Sequence, residues 1–405
     1  MFYNKEIAKK RSFLARKIRD FFDQKGFLEV ETPIMTPTVD MEPNLTPFET
    51  TLNDPFGGAG ELMSERGGVS SGREKCGTSA SGRGKSNPVY LIPSPEIQIK
   101  KLLGAGFGNV YTITKVFRNG EIGGGRHNPE FTMLEWYREN ASYKDIMEDC
   151  EDLVLYLVEG LKGEEARGGF CSGGDKLGIC PVGGEVVIDD SGEVDVITYQ
   201  GRKIDLKKPW DRISIHELFL KYCGIDLLKF RDFESLAKVA EDHGYSVSGT
   251  VGGSGSVSGG CKTWDDIFYK IFLNEIEPKL GFNKPVIVYD YPATQRALAK
   301  KAKDPFWVER FELYIAGHEL CNAFSELTDS KEQRARLVED RETRKKMGKT
   351  QFDIDEEFLA SLESIRRPYG GNALGVDRLM MVLLDKPSIS DVILFPMEEM
   401  LRYKI

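Results

Sequence analysis

Apolar residues at Leu14, Ile18, Phe21 and Phe22 share one face of a 3.6-residue period, and Gly26 stands where a left-handed residue closes a helix. The spacing predicts a helix over residues 5–25. Phe27 to Thr32 alternates with a period of two and stops at Pro33, which has no N–H to give to a ladder, so a strand follows at once. Val110 to Arg118 alternates again, passes through a turn carrying Gly120, Gly123, Gly124 and Gly125, and resumes over Phe131 to Tyr137 as strand, loop, strand. Phe311 to Cys321 alternates around Ala316-Gly317, a pair fit for a two-residue hairpin turn. Gly370 to Gly375 is rich in small residues and leads into the apolar helical run Val376 to Leu384. Residues 57–88, 161–201 and 244–261 lack a buried face at either period, and we expect them to be surface loops or hairpins inserted into a single core. No fixed-period repeat is present, which argues against solenoids and propellers.

Three of these blocks carry candidate chemistry. Glu135 and Tyr137 lie two apart on one strand face and Arg118 ends the facing strand, so polar groups leave a shared sheet surface; a solvated hairpin would look the same. If Ala316 and Gly317 form the turn, Ile315 faces His318, Tyr314 faces Glu319, and Glu312 is the diagonal neighbour of Glu319. Two carboxylates so placed repel unless a cation joins them, and oxygen-only ligation suits Mg²⁺; an exposed acidic face is the alternative. Asn322, Phe324 and Glu326 have the opposite parity to Glu319, so using all four requires a bulge near Cys321 to Ala323. Gly370 to Arg378 fits neither a Rossmann fingerprint nor a P-loop.

Composition narrows the classes. The 405 residues carry 55 basic and 64 acidic side chains, a net charge of −9 that excludes a globally basic nucleic-acid footprint but not a local patch. The longest apolar runs fall far short of a membrane span, and the polar, basic first residues lack a secretory signal, so no membrane association and a cytoplasmic location are expected. Seven scattered cysteines without a C-x-x-C pair read as reduced thiols.

Taken together, Phe27 to Pro33, Phe117-Arg118-Asn119 through His127-Asn128-Pro129-Glu130-Phe131, and Gly371 to Arg378 resemble motifs 1, 2 and 3 of the class II aminoacyl-tRNA synthetases. Arg126 to Tyr137 and Asn322 to Asp329 are similar to the lysyl branch. Motif 1 begins within 30 residues of Met1, so no anticodon-reading OB-fold is expected ahead of it, and Ser94-Pro95-Glu96 and Ala373 are similar to the wording of the elongation factor P lysine ligases. The implied fold is α+β, one catalytic domain whose antiparallel sheet is flanked by helices, paired as a homodimer through the first helix and strand.

The resemblance also implies roles. Arg118 would hold the α-phosphate of ATP and Arg378 the γ-phosphate, with Phe131 against adenine and Asn119, Glu121, Asn128, Glu319, Leu320 and Gly375 completing the nucleotide site. Glu312 and Glu319 would bind Mg²⁺. Glu96, with Ser94, would take the amino group nearest the substrate carboxylate; Glu326 with Glu135, Tyr137 and Asn322 would take the second ammonium, beside Phe324 and Ala373. Motif 2 has Gly120 and one residue more than the family's Arg-Asn-Glu, so Glu121 would supply the carboxylate from a shifted loop, or adenine recognition would weaken. The four histidines receive no catalytic role. The implied activity is ATP-dependent activation of lysine or β-lysine and its transfer to elongation factor P; the alternatives are a truncated lysyl-tRNA synthetase charging its tRNA and a non-catalytic paralogue acting as a binding subunit.

Overall fold

The computed structural model describes residues 4–53, 86–166, 195–247 and 260–402. Helix α1 (Lys5–Gln24) is capped by Asn4, whose side chain accepts from the N–H groups of Glu6 and Ile7, and buries the predicted stripe of Leu14, Ile18, Phe21 and Phe22. Gly26 follows at φ 73°, where a side chain would be strained. Strands β1 (Leu28–Glu29), β2 (Met35–Thr36), β3 (Glu49–Asn53) and β4 (Ser86–Leu91) come next, then α2 (Glu96–Gly104) and the long pair β5 (Val110–Phe117) and β6 (Glu130–Glu139). After α3 (Tyr143–Ala166) come the hairpin β7 (Val196–Tyr199) and β8 (Arg202–Asp205), strand β9 (Asp211–Ser214), and helices α4 (Ile215–Cys223), α5 (Phe233–Asp242) and α6 (Trp264–Ile271). The chain ends with β10 (Val286–Pro292), β11 (Trp307–Ile315), β12 (His318–Ser325), α7 (Ser330–Lys346), α8 (Glu356–Ser364), β13 (Tyr369–Gly375), α9 (Val376–Leu383) and α10 (Met397–Arg402).

Eight strands form the central sheet in the order β1-β5-β6-β13-β12-β11-β10-β9. The inner pairings are antiparallel, and only β1 on β5 and β9 on β10 run parallel. Alternation assigns each strand's side chains to two faces. Leu134, Trp136, Ile287, Phe311, Leu313, Cys321, Ala323 and Leu374 pack in one core with α1, α3 and α9. Met133, Val286, Val288, Tyr314 and Phe324 point the other way, into a second core with α4, α5, α6 and α8. The polar residues of the site share this second face.

Three expectations need correcting. The strand after α1 is shorter than Phe27 to Thr32, because only Leu28 and Glu29 pair with β5, although Val30 still donates to the Tyr111 carbonyl at 2.8 Å. Of the segments expected as loops, 86–88 belong to β4 and 161–166 continue α3, while 196–201 start the expected kind of hairpin; most of 57–88, 161–201 and 244–261 lies outside the described residues. The bulge falls at Leu320, just before the segment anticipated. Tyr314 pairs with Glu319 and Leu313 with Cys321, so Leu320 is the extra residue. That insertion turns Glu319 onto the face of Asn322 and Phe324 and removes the parity conflict.

Candidate active site

Antiparallel register assembles the site from strands far apart in sequence. Ala373 on β13 lies opposite Glu135 on one side and Asn322 on the other, Gly371 lies between Tyr137 and Phe324, and Asn322 faces Glu312. Ser94, Glu96, Tyr137, Asn322, Phe324, Glu326 and Ala373 line one cleft. The same cleft is lined by Arg118, Glu121, Asn128, Phe131, Glu319, Leu320, Gly375 and Arg378. Three expected residues do not line it: Asn119, whose N–H donates to the Thr46 carbonyl, and Glu135 and Glu312, which lie behind its wall.

One group of lining residues is anionic. Ser94 Oγ accepts from the Glu96 N–H at the start of α2 (3.0 Å) and donates to Glu135 Oε1 (2.6 Å), while the Tyr137 hydroxyl donates to Glu135 Oε2 (3.0 Å). Glu135 is fully buried and hydrogen-bonded to hydroxyls alone, so burial, reinforced by the charge of Glu96, pushes its carboxyl up to about 8. Burial also pushes Glu326 up to about 8, against the pull of Lys100. Glu326 Oε1 accepts no hydrogen bond. Asp40, from the loop after β2, joins this wall, and burial with the nearby Glu96 raises it to about 8 as well. Burial disfavours the charged form of Glu135 and Asp40, and a cation brought close favours it, so this part of the pocket is built to respond to ammonium groups.

A second group is cationic. Arg378, in the first turn of α9, donates from Nη1 to the Glu319 carbonyl (3.0 Å) and from Nε to the Arg126 carbonyl (3.3 Å). Arg118 lies 5.3 Å from the Phe131 ring centre, and its Nη1 is 3.7 Å from Glu121 Oε1. Gly120 takes φ 90° in the longer loop, which brings Glu121 to the cleft beside Arg118. Arg126 and His127 add to the wall, and burial with the charge of Arg378 keeps the His127 ring below its ordinary pKa. Asn128 lines the cleft but its amide is committed, donating to the Glu130 carbonyl (2.5 Å) and accepting from the Met397 N–H (2.9 Å). Planar guanidinium forks near an aromatic face suit a nucleoside phosphate.

The two acidic residues of the hairpin differ in their freedom to bind a metal. Glu312 is buried, with Oε1 taken by Arg310 Nη2 at 2.5 Å and Oε2 by the hydroxyls of Tyr291 (2.5 Å) and Tyr314 (2.7 Å). Glu319 reaches the cleft, with Arg378 Nη1 3.6 Å away as its ion-pair partner. No group of three His, Cys, Asp or Glu fit to hold a metal occurs among the described residues. A Mg²⁺ carried in on phosphates and completed by water needs only one or two carboxylates, so Glu319 fits it, whereas Glu312 would first have to leave Arg310.

The model of a known family, the class II tRNA synthetases (D, K and N), matches residues 3–399. The chain belongs to that family. It is 34% identical over 388 residues to the lysine–tRNA ligase of Carboxydothermus hydrogenoformans, covering 96% of this chain and 64% of that enzyme. It is also 32% identical over 390 residues to the elongation factor P–(R)-β-lysine ligase of Haemophilus influenzae, and 34% over 388 residues to that of Proteus mirabilis, each covering 96% of this chain and 94% of the relative. The expected α+β architecture, an antiparallel-dominated sheet flanked by helices, is the one observed.

Within this synthetase framework, several structural residues escaped the sequence reading. Lys100 and Arg310 sit at helix and strand spacing from Glu96 and Glu312, a signal that was available. Asp377 had none: it accepts from Arg11 of α1 (2.5 Å) and from the Thr132 N–H (2.7 Å), joining motif 3 to residues hundreds of positions away.

Proposed function

We propose that this chain activates lysine or (R)-β-lysine with ATP and Mg²⁺ as an aminoacyl-adenylate and transfers the aminoacyl group to a lysine of elongation factor P, acting as a cytoplasmic homodimer. The observation that carries the reading is one cleft in which buried carboxyls, Glu326 with an unbonded oxygen among them, meet a wall of arginines. A diamino acid supplies the ammoniums and a nucleotide the phosphates. The substrate carboxylate attacks the α-phosphorus and pyrophosphate leaves. Arg118 and Arg378 offset charge on the phosphates, Phe131 offers a stacking face, and no protein nucleophile is required. Intact arginines at the cleft argue against a purely binding paralogue.

Ser94 and Ala373 and the relatives named elongation factor P–(R)-β-lysine ligase support that acceptor. The Ser94 hydroxyl ties Glu96 to Glu135, and the Ala373 methyl stands between Glu135 and Asn322 in the register, so both reshape the amine end. The relatives named lysine–tRNA ligase support a second reading, transfer to tRNA. Exposed Leu28, Ile34, Met35 and Leu52 near the first helix and strands support a two-fold contact. Among the described residues no helix is long and apolar enough to cross a membrane.

Amino-acid-dependent ATP–pyrophosphate exchange tests activation, comparing (R)-β-lysine, L-lysine and L-aspartate. We expect exchange with a lysine and none with aspartate, followed by transfer to purified elongation factor P. Exchange with neither lysine in folded protein would overturn the reading; transfer to tRNA with elongation factor P ignored would leave the second.

A further inference from the structure

Lys100 lies on α2 one turn after Glu96, only 1% exposed at its side chain. Its Nζ is 2.6 Å from Glu96 Oε1 and 2.6 Å from Glu326 Oε2, and 5.4 Å from the centre of the Phe324 ring. A buried ammonium is costly to desolvate, yet the two carboxylates outweigh that cost and hold the lysine charged. Glu96 and Glu326 both line the cleft, but Lys100 does not. It therefore stands behind them, taking one oxygen from each. Glu96 Oε1 accepts a hydrogen bond from this ammonium and Glu326 Oε2 is ion-paired with it, so these two oxygens can be no farther apart than the lengths of the two contacts combined, which limits how far α2 and the end of β12 can separate.

A structural ion pair alone could lie anywhere between these elements. This one joins the two carboxylates that the proposed substrate, with two ammonium groups, would address; neither Glu326 oxygen accepts a hydrogen bond, and only Oε2 is close to the Lys100 ammonium. Gly371 limits how far Glu326 can move: a methyl group at 371 would overlap Glu326 Oε1. We propose that Lys100 is a positioning residue whose ammonium sets the spacing of Glu96 and Glu326, and through it the nitrogen-to-nitrogen span of the diamino acid that the cleft accepts. The inference rests on the proposed activation of a lysine-type substrate. A 3,6-diamino acid holds its two nitrogens one bond closer than a 2,6-diamino acid, and L-ornithine shortens the 2,6 span by the same step. The spacing is thus a ruler for chain length and for amine position.

The test is pyrophosphate exchange on the full chain with (R)-β-lysine, L-lysine and L-ornithine, for wild type, Lys100→Met and Lys100→Arg. Lys100→Met keeps the aliphatic stem and deletes the charge. It is expected to raise KM for the preferred diamino acid by about tenfold or more and to reduce the discrimination between (R)-β-lysine and L-lysine to about twofold, with KM for ATP unchanged. Lys100→Arg keeps the charge with a different reach and is expected to change the order of preference. If Lys100→Met does not fold, Lys100→Arg decides. Wild-type ratios of kcat/KM in a folded variant, whatever its stability, would overturn the ruler. Absence of exchange in the wild type with all three amino acids would instead remove the reading on which it rests.

Discussion

Gly371→Ala perturbs locally the pocket proposed to take the substrate's amines. Gly371 sits in β13 between Tyr137 of β6 and Phe324 of β12. A Cβ there would lie 2.7 and 2.9 Å from two carbons of the Tyr137 ring and inside the van der Waals envelope of Glu326 Oε1. Neither neighbour can yield cheaply, since Tyr137 bonds Glu135 and Glu326 is held by Lys100. Overpacking a rigid site costs about 1–3 kcal/mol, and we expect the upper part of that range here. Displacing Glu326 should also raise KM for lysine by about tenfold or more, the effect expected when a buried polar contact to substrate is lost, with KM for ATP nearly unchanged. Gly375→Ala is the internal control. Its φ of −74° suits any residue and its nearest neighbours beyond the adjacent residues are 3.8 and 3.9 Å from an added Cβ, so the variant should lose only about 0.5–1 kcal/mol, the amount by which alanine is the poorer N-cap of α9. Urea unfolding and exchange kinetics on the two variants give both numbers. Equal denaturation midpoints and equal KM for lysine in Gly371→Ala and wild type would refute this account of the pocket.

A pH test follows from Glu135, whose carboxyl is raised in the fold to about 8 from the 4.5 of an exposed glutamate. Its contribution to stability is complete below about pH 4 and is lost as pH rises toward about 8, so this group alone should withdraw on the order of 4 kcal/mol from the ligand-free protein over that interval, and Glu135→Gln should flatten the slope; parallel slopes in thermal melts would contradict it. Glu319→Gln should raise the Mg²⁺ concentration needed for half-maximal exchange with little loss of stability. Glu312→Gln should instead lower stability by about 3 kcal/mol by leaving Arg310 buried without its carboxylate, and the reverse assignment of the two effects would mean that Glu312 is the metal ligand.

Local patterning was sufficient where neighbours in sequence decide the outcome. The α1 stripe, the Gly26 stop, the β5 and β6 pair and the Ala316-Gly317 turn, with Ile315 against His318 and Tyr314 against Glu319, all rest on periodicity or on residues able to take positive φ. The cleft residues were legible mainly through three short motifs, because loops and strand ends that approach a ligand carry unusual residue types. Their mutual placement was not. The parity of Glu319 against Asn322 called for a bulge, but its place at Leu320 is decided by how β12 meets β11. The commitment of Glu312 to Arg310, Tyr291 and Tyr314 needs β10 beside β11, and the joining of Asp377 to Arg11 needs α1 beside motif 3. The sequence by itself therefore determined the first helix, the β5 and β6 pair, the hairpin around Ala316-Gly317 and the helix after Gly375, and which residue types could do chemistry. Only the tertiary structure decided which carboxylates face the cleft and which are spent inside the wall, because burial and ion pairing act through space, without regard to distance along the chain.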